Sequence, residues 1–308
     1  RSNSASCRKA MKLKKMFNRR VRGPRAALFA VGFISLLFSL PVVTGPPPPV
    51  LECPSYLLMD PDTGDVLYGR SIHAIRAPAS TTKMMTALLA LELGEPDDFV
   101  TVSYRADTES GCSLGLAEGE RIPLRDLTYA MLVRSGNDAA VAIAEHIGGS
   151  VEAFCDLMNA RAQELGMRDT FFANPNGMPD DLHHSTAFDL ALLAREAMTH
   201  PEFREWVSTQ ELHFEQFGER EDVTFETTNE LLDTYPLCDG IKAGFTNAAG
   251  FCLVASATYR DKSLIAVVLG CEQDRQWTQA LDLLDYGFSL YDPDYQAFRD
   301  LYDEHAPF

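Results

Sequence analysis

The 308 residues of this chain carry 27 Lys and Arg against 44 Asp and Glu, a net charge of −17 at pH 7. The first 45 residues hold ten of the basic side chains and none of the acidic ones, so the remaining chain has 17 basic and 44 acidic groups, a net charge of −27. Such an acidic composition argues against nucleic acid or anionic lipid as a binding partner.

The N-terminal basic region is followed by an apolar stretch, residues 26–43, broken by Pro41. A basic segment followed by an apolar one predicts export from the cytoplasm, through either a cleaved signal peptide or a signal anchor. Eighteen residues are just long enough to span a bilayer, and Pro46 disfavours cleavage directly before it. The basic flank of an uncleaved anchor would stay in the cytoplasm. We therefore expect an export segment over 1–45, attached to the membrane if uncleaved, and a protein of the cell envelope.

Beyond a proline-rich spacer at 46–50, residues 51–308 are long enough for one domain with a large core. Hydrophobic alternation predicts a hairpin at 56–59 and 66–68 and a second at 251–258 and 263–269. Helical periodicity is found between and after them, at 151–165, 186–198 and 277–291. Strands at both ends of the domain with helices between them predict an α+β fold with a sheet assembled from distant segments.

Ser80-Thr81-Thr82-Lys83 begins an apolar helical run and is the first candidate for chemistry. A serine hydroxyl is a weak nucleophile until a base takes its proton, and a lysine three positions later lies on the same helical face. That lysine must be neutral to act as a base, so its pKa must be lowered by burial or by a second cation. The alternative is an N-cap serine followed by a solvated lysine.

Two further motifs favour the catalytic interpretation. Ser135-Gly136-Asn137 follows Ser80 by 55 residues and precedes an apolar helical run, and Lys242-Ala243-Gly244 follows by another 107 in a predicted strand. In this order the three motifs match the constellation of penicillin-binding proteins and serine β-lactamases.

The chain resembles the D-alanyl-D-alanine carboxypeptidases, which are low-molecular-weight penicillin-binding proteins of bacterial cell walls. The resemblance is carried by segments 77–84, 132–140 and 239–246, which contain the three motifs, and by 174–179 and 183–190 between the second and third. It extends over roughly residues 50–290. It implies the β-lactamase/transpeptidase-like fold, an antiparallel sheet with helices on both faces, in a single DD-peptidase domain over 51–308.

The resemblance also implies the chemistry. The enzyme would be a serine-type carboxypeptidase that removes the terminal D-alanine from peptidoglycan stem peptides through an acyl-enzyme on Ser80, and that β-lactams acylate. Lys83 would be the base, and Ser135 would relay a proton to the leaving amine between Lys83 and Lys242. The predicted catalytic residues are Ser80, Lys83 and Ser135, and the predicted substrate-binding residues are Asn137, Lys242, Gly244 and Phe245.

Ala243 departs from the family pattern, which has Thr or Ser between the lysine and glycine of the third motif. In the family that hydroxyl helps to hold the terminal carboxylate of the substrate. Loss of one hydrogen bond to a charged group costs about 1.5–3 kcal/mol, which slows an enzyme without abolishing its activity. Two alternatives therefore stand beside the carboxypeptidase: a catalytically weakened protein that binds peptidoglycan and penicillin, and a β-lactamase, disfavoured because no E-x-x-L-N stretch is found.

Six cysteines follow the export segment, and they allow 15 disulfide connectivities or remain as buried thiols. None has CxxC spacing, so no zinc site is predicted. Asp180, Asp181, His183 and His184 lie in a segment that the family shares without a metal, and we interpret them as a polar loop near the cleft. No metal or cofactor is predicted.

Overall fold

A computed structural model describes residues 46–305, with side chains as far as Leu301. Its centre is an antiparallel five-stranded sheet in the order β2-β1-β9-β8-β7, accompanied by the two-stranded sheets β3-β4 and β5-β6. The strands are β1 (Ser55–Met59), β2 (Val66–Arg70), β3 (Phe99–Thr101), β4 (Arg121–Pro123), β5 (Glu211–Phe217), β6 (Arg220–Glu226), β7 (Cys238–Thr246), β8 (Gly250–Tyr259) and β9 (Lys262–Cys271).

Helices cover both faces of the sheet. The helices α1, α3, α4, α5 and α6 contribute to the core on one face, and α9 packs on the other face, where it is followed by α10. The helices are α1 (Lys83–Leu93), α2 (Tyr104–Asp107), α3 (Leu124–Arg134), α4 (Asn137–Gly148), α5 (Val151–Glu164), α6 (Ala187–Ala197), α7 (Pro201–Val207), α8 (Leu231–Thr234), α9 (Arg275–Tyr291) and α10 (Tyr295–His305).

The central strands are almost continuously apolar because both of their faces are buried. In β9, Ile265 and Val267 point into the core that contains α1 and α6. The intervening residues Leu264 and Ala266 point into the core that contains α9. Successive side chains of a strand alternate between the two faces of the sheet, so a run without polar interruption indicates a strand covered on both sides.

The predicted α+β fold is confirmed. Both predicted hairpins are present, as β1-β2 and β8-β9, and the three predicted helices are α5, α6 and α9. The sequence analysis did not identify the β5-β6 hairpin or α10. The proline-rich spacer forms neither helix nor strand, and the Pro49 carbonyl accepts a hydrogen bond from the Tyr68 hydroxyl at 3.3 Å.

The predicted export segment, residues 1–45, lies outside the described residues. Within 46–305, no helix combines the length and the apolar composition that crossing a bilayer requires.

Strand β7 is an edge strand of the main sheet, and it packs against the short 3₁₀ turn Ala79–Thr82 that carries Ser80. Gly244 makes this approach close, because a Cβ atom at that position would lie 2.6 Å from the backbone nitrogen of Ser80. Any side chain at position 244 would therefore push the strand away from the serine.

A disulfide joins Cys53 to Cys271, at the end of β9, across 218 positions of sequence. Cys112, Cys155, Cys238 and Cys252 are free thiols, so the structure combines the two alternatives that the sequence left open. The same corner is also held without the covalent bond, because Gln279 of α9 accepts hydrogen bonds from the backbone N–H groups of Glu52 and Cys53 at 2.9 and 2.8 Å.

Replacing both Cys53 and Cys271 by serine should lower the free energy of unfolding by about 2–5 kcal/mol, since the bond removes the loop-closure entropy of a very long loop from the unfolded chain. Thermal unfolding of the oxidised wild type and the double variant measures this. Cys112→Ser is the matched control and should leave the melting temperature unchanged. Equal melting temperatures for wild type and double variant would contradict the stabilising role.

Candidate active site

Ser80 lies in the 3₁₀ turn that leads directly into α1, and Lys83 is the first residue of that helix. The turn is tightened by the Thr81 hydroxyl, which donates a hydrogen bond to the Pro78 carbonyl at 2.7 Å. This local geometry places Lys83 Nζ 2.9 Å from Ser80 Oγ. The sequence prediction that the two side chains are within reach of each other agrees with this distance.

The Lys83 amine is fully buried and has two further partners. Its Nζ lies 2.6 Å from Asn137 Oδ1 and 2.8 Å from the backbone carbonyl oxygen of Asn176. Both oxygens are acceptors only, so they take both N–H bonds of a neutral amine. The lone pair of the neutral amine is then left for the hydroxyl proton of Ser80, which is the arrangement that a general base requires.

Burial lowers the pKa of Lys83 well below its ordinary value, and the nearby positive charge of Lys242 lowers the same pKa further. Lys242 is also buried, and burial lowers its pKa to about 8. The requirement for a lysine with a depressed pKa, inferred from the chemistry, therefore has both of the expected physical causes here.

Ser135 and Asn137 lie at the junction between two helices. Ser135 ends α3 in a left-handed conformation, with φ of 68°, and Asn137 begins α4. The Asn137 amide donates to the Ser110 carbonyl at 2.6 Å, which orients its Oδ1 toward Lys83. Ser135 lines the same cavity as Ser80. Among the described residues, however, no hydrogen bond joins the Ser135 hydroxyl to Lys83 or Lys242.

Strand β7 forms the opposite wall. Lys242 Nζ donates to the Thr228 hydroxyl at 3.2 Å and to the Ala243 carbonyl at 3.0 Å. Phe245 is half-exposed and packs against Phe251, with ring centroids 4.3 Å apart. Ala243, Gly244 and Phe245 all line the cavity that contains Ser80 and Ser135.

Thr246 does not replace the missing hydroxyl at position 243. The β7-β8 register is regular from Gly240 to Thr246, so a residue three positions from Ala243 faces the other side of the sheet. Thr246 instead lines a separate cavity, together with Gly177 and His183.

The loop that presents the Asn176 carbonyl had no role in the sequence analysis. Gly177 allows this loop to lie against the serine turn, because a Cβ at that position would be 1.9 Å from the Ala79 carbonyl oxygen. His183 fixes the loop to α1: its Nδ1 accepts from the Ala173 backbone N–H at 3.1 Å, so its protonated Nε2 donates to Thr82 Oγ1 at 2.8 Å. Burial lowers the pKa of His183 to about 4, which keeps the ring neutral.

Two groups of side chains resemble metal-ligand sets. Glu92, Glu196 and His200 bring ligand atoms within 4.8 Å of one another. Arg161 forms ion pairs with both carboxylates at 2.7 Å, which accounts for the cluster without a metal. In the loop that follows Asn176, both ring nitrogens of His183 are used in hydrogen bonds within the protein.

Comparisons with known proteins agree with this geometry. A family model described as D-alanyl-D-alanine carboxypeptidase matches residues 42–273. The carboxypeptidase DacF of Bacillus subtilis is 37% identical over 249 residues, which cover 78% of this chain and 63% of DacF. The crystal structure of DacD from Francisella tularensis superposes with a TM-score of 0.73 and 31% identity, covering 79% of this chain and 72% of that one. The Streptomyces K15 DD-transpeptidase gives 0.75 and 29%, covering 79% and 99%.

The fold and the serine–lysine pair are thus those of the DD-peptidases among the penicillin-binding proteins. The chain belongs to the D-alanyl-D-alanine carboxypeptidase family, and the resemblance inferred from its motifs is confirmed. It spans less than two thirds of the length of DacF.

His183 should make the protein less stable below pH 6.5. The unfolded chain takes up a proton near pH 6.5, whereas the folded protein takes it up only near pH 4, so stability is lost as the pH falls through this window. The loss from this group is about 3 kcal/mol at most. Denaturant unfolding between pH 7 and 4 should show a shallower pH dependence in His183→Gln, whose amide retains a donor for Thr82.

His146→Gln is the control, because His146 lies at the end of α4, away from the serine turn. The same pH slope in His183→Gln and wild type would refute the assignment to His183.

Proposed function

We propose that the protein is a serine DD-peptidase that cleaves peptidoglycan stem peptides after a D-alanine, through an acyl-enzyme on Ser80. The observation that carries the proposal is the 2.9 Å contact between Ser80 Oγ and a fully buried Lys83 Nζ whose two N–H bonds are occupied by carbonyl acceptors. Membership of the carboxypeptidase family supports the same substrate class.

In the first step, Ser80 Oγ attacks the carbonyl carbon between the last two D-alanines, and its proton passes to Lys83 Nζ. The tetrahedral intermediate carries a negative oxygen that needs two fixed donors. We assign these to the backbone N–H groups of Ser80 and Phe245. The close packing of Gly244 on Ser80 supports this assignment, because it brings the two backbones together.

In the second step, the bond to the leaving amine breaks and the amine takes up a proton. Ser135 relays this proton from Lys83, since the Ser135 hydroxyl lines the same cavity as the nucleophile. Water then attacks the ester on Ser80 and gives its proton to Lys83, which returns it to the Ser80 oxygen as the shortened peptide leaves. Asn137 and Lys242 contribute to substrate binding, and the buried charge of Lys242 also favours neutral Lys83.

The natural partners that follow are peptidoglycan stem peptides, and β-lactams would act as inhibitors that mimic the acyl-D-alanyl-D-alanine unit. The site of action would be the cell envelope, reached through the predicted export segment, which would also attach the protein to the membrane if it is not cleaved. Because the chain spans only part of the length of DacF, the activity of any longer protein is included in this proposal.

A weakened catalyst is the second candidate function, and Ala243 is the observation that favours it. The position lines the cavity beside Lys242, and the regular register of β7 brings no other hydroxyl of the strand to the same side between Gly240 and Thr246.

Incubation of residues 46–308 with benzylpenicillin should yield a covalent adduct on Ser80, seen by intact mass, and Ser80→Ala should yield none. Lys83→Arg should form the adduct about 10²–10⁴ times more slowly, because arginine keeps its charge and cannot act as the base. Release of D-alanine from diacetyl-L-Lys-D-Ala-D-Ala then measures turnover. Penicillin hydrolysed without an adduct would indicate a β-lactamase, and penicillin left intact would indicate a binding protein without acylation chemistry.

Ala243→Thr should raise kcat/KM for diacetyl-L-Lys-D-Ala-D-Ala by roughly ten- to hundredfold, because it restores one hydrogen bond to a charged carboxylate. Ala243→Val has the same shape without the hydroxyl and should give no increase. Steady-state release of D-alanine by the three proteins checks this. A gain in the valine variant equal to that of the threonine variant would show that the hydroxyl is not the cause.

A further inference from the structure

The cleft that contains Ser80 continues past Ala243 to the turn between β9 and α9. It is one cavity of about 270 Å³, and at this end its lining includes Glu230, Asp274, Gln276 and Trp277. We call these four residues the acidic end of the cleft. Ala243 adjoins it, because the side chains of Ala243, Phe251 and Trp277 pack against the same core as α9.

The charge of the lining is one-sided. Glu230 and Asp274 are exposed carboxylates, and the residues that line this cavity include no Lys, Arg or His. The neighbouring guanidinium, Arg275, is directed elsewhere, since it forms an ion pair with Glu52 at 2.6 Å. Lys242, on the other side of β7, is bonded to Thr228 and to its own strand.

Gln276 adds an independent sign of a missing ligand. Its side chain lines the cavity although the residue is only 4% exposed, and its Oε1 has no hydrogen-bond partner among the described residues. A buried acceptor without a donor is costly. A ligand that brings N–H donors into this end of the cleft would remove that cost.

We propose that the acidic end of the cleft binds a cationic side chain on the residue that leaves during cleavage. This deepens the proposed function and rests on it, since Ala243 marks the side of Ser80 on which the leaving residue lies. The preferred substrate is then an acylated D-alanyl bond to an amino acid that carries a second, protonated amine, rather than to a terminal D-alanine.

The chemistry of the cleft supports this choice of substrate class. A free carboxylate that reaches this end finds neither a hydroxyl at position 243 nor a cation in the lining. An ammonium group finds two carboxylates and the Gln276 oxygen, and it donates three N–H bonds.

The test compares two substrates of equal length, diacetyl-L-Lys-D-Ala-D-Lys and diacetyl-L-Lys-D-Ala-D-norleucine, which differ in the terminal ammonium group. Wild-type kcat/KM should favour D-Lys by about fivefold for each carboxylate within contact distance in water. Asp274→Asn and Glu230→Gln should each remove about that factor for D-Lys and leave D-norleucine unchanged. Glu272→Gln is the matched control, because Glu272 is an exposed acid of the same turn that does not line the cavity.

Binding to Ser80→Ala separates the two proposals, because this variant cannot be acylated. The D-Lys peptide should bind it more tightly than the D-norleucine peptide even if wild-type protein forms no penicillin adduct, an outcome that would reject the catalytic proposal alone. Equal affinity for the two peptides, or a preference that survives both Asp274→Asn and Glu230→Gln, would overturn the inference. An equal loss in Glu272→Gln would also overturn it, since the preference would then reflect the overall negative charge of the protein.

Discussion

A single buried amine organises this structure. Lys83 Nζ lies where it contacts the Ser80 hydroxyl and two carbonyl oxygens, and nothing else in the cleft has its combination of burial and basicity. An ammonium ion in that position would have to be removed from water with no carboxylate bonded to it, which is expensive. The neutral form is therefore favoured, and the folding of the domain itself generates the base that the serine needs.

That environment is assembled from segments that are far apart in the chain. Asn137 and Asn176 follow Lys83 by 54 and 93 positions, and each is held by separate contacts. Asn137 belongs to the first turn of α4, and the adjacent Asp138 carboxylate accepts the backbone N–H groups of residues 114–116. Asn176 is held indirectly, through the hydrogen bonds of His183. The activity of the serine thus depends on correct packing of the whole helical layer against the edge of the sheet.

These observations explain what was predictable from the sequence. Ser80, Lys83, Asn137 and Lys242 were recognisable because their side-chain chemistry and spacing are constrained together, and the strands and long helices because buried faces impose a period. The Asn176 carbonyl was not recognisable, since a backbone oxygen has no residue type that reveals it. The Cys53–Cys271 pairing depended on which strand ends meet in space. The β5-β6 hairpin has a readable alternation, with Leu212 and Phe217 buried among polar neighbours, and was overlooked beside the stronger motifs.

The disulfide has a mechanical consequence that its effect on stability does not convey. It bridges Cys53 and Cys271, and Ser80, Lys83, Ser135 and Lys242 all lie in the stretch between them. Tension applied to the chain before Cys53 and after Cys271 passes directly through the covalent sulfur–sulfur bond, and the catalytic segment lies in a loop in parallel with it. A domain pulled between its ends in this way would keep its cleft intact at forces that peel away α10, and it would lose that protection on reduction.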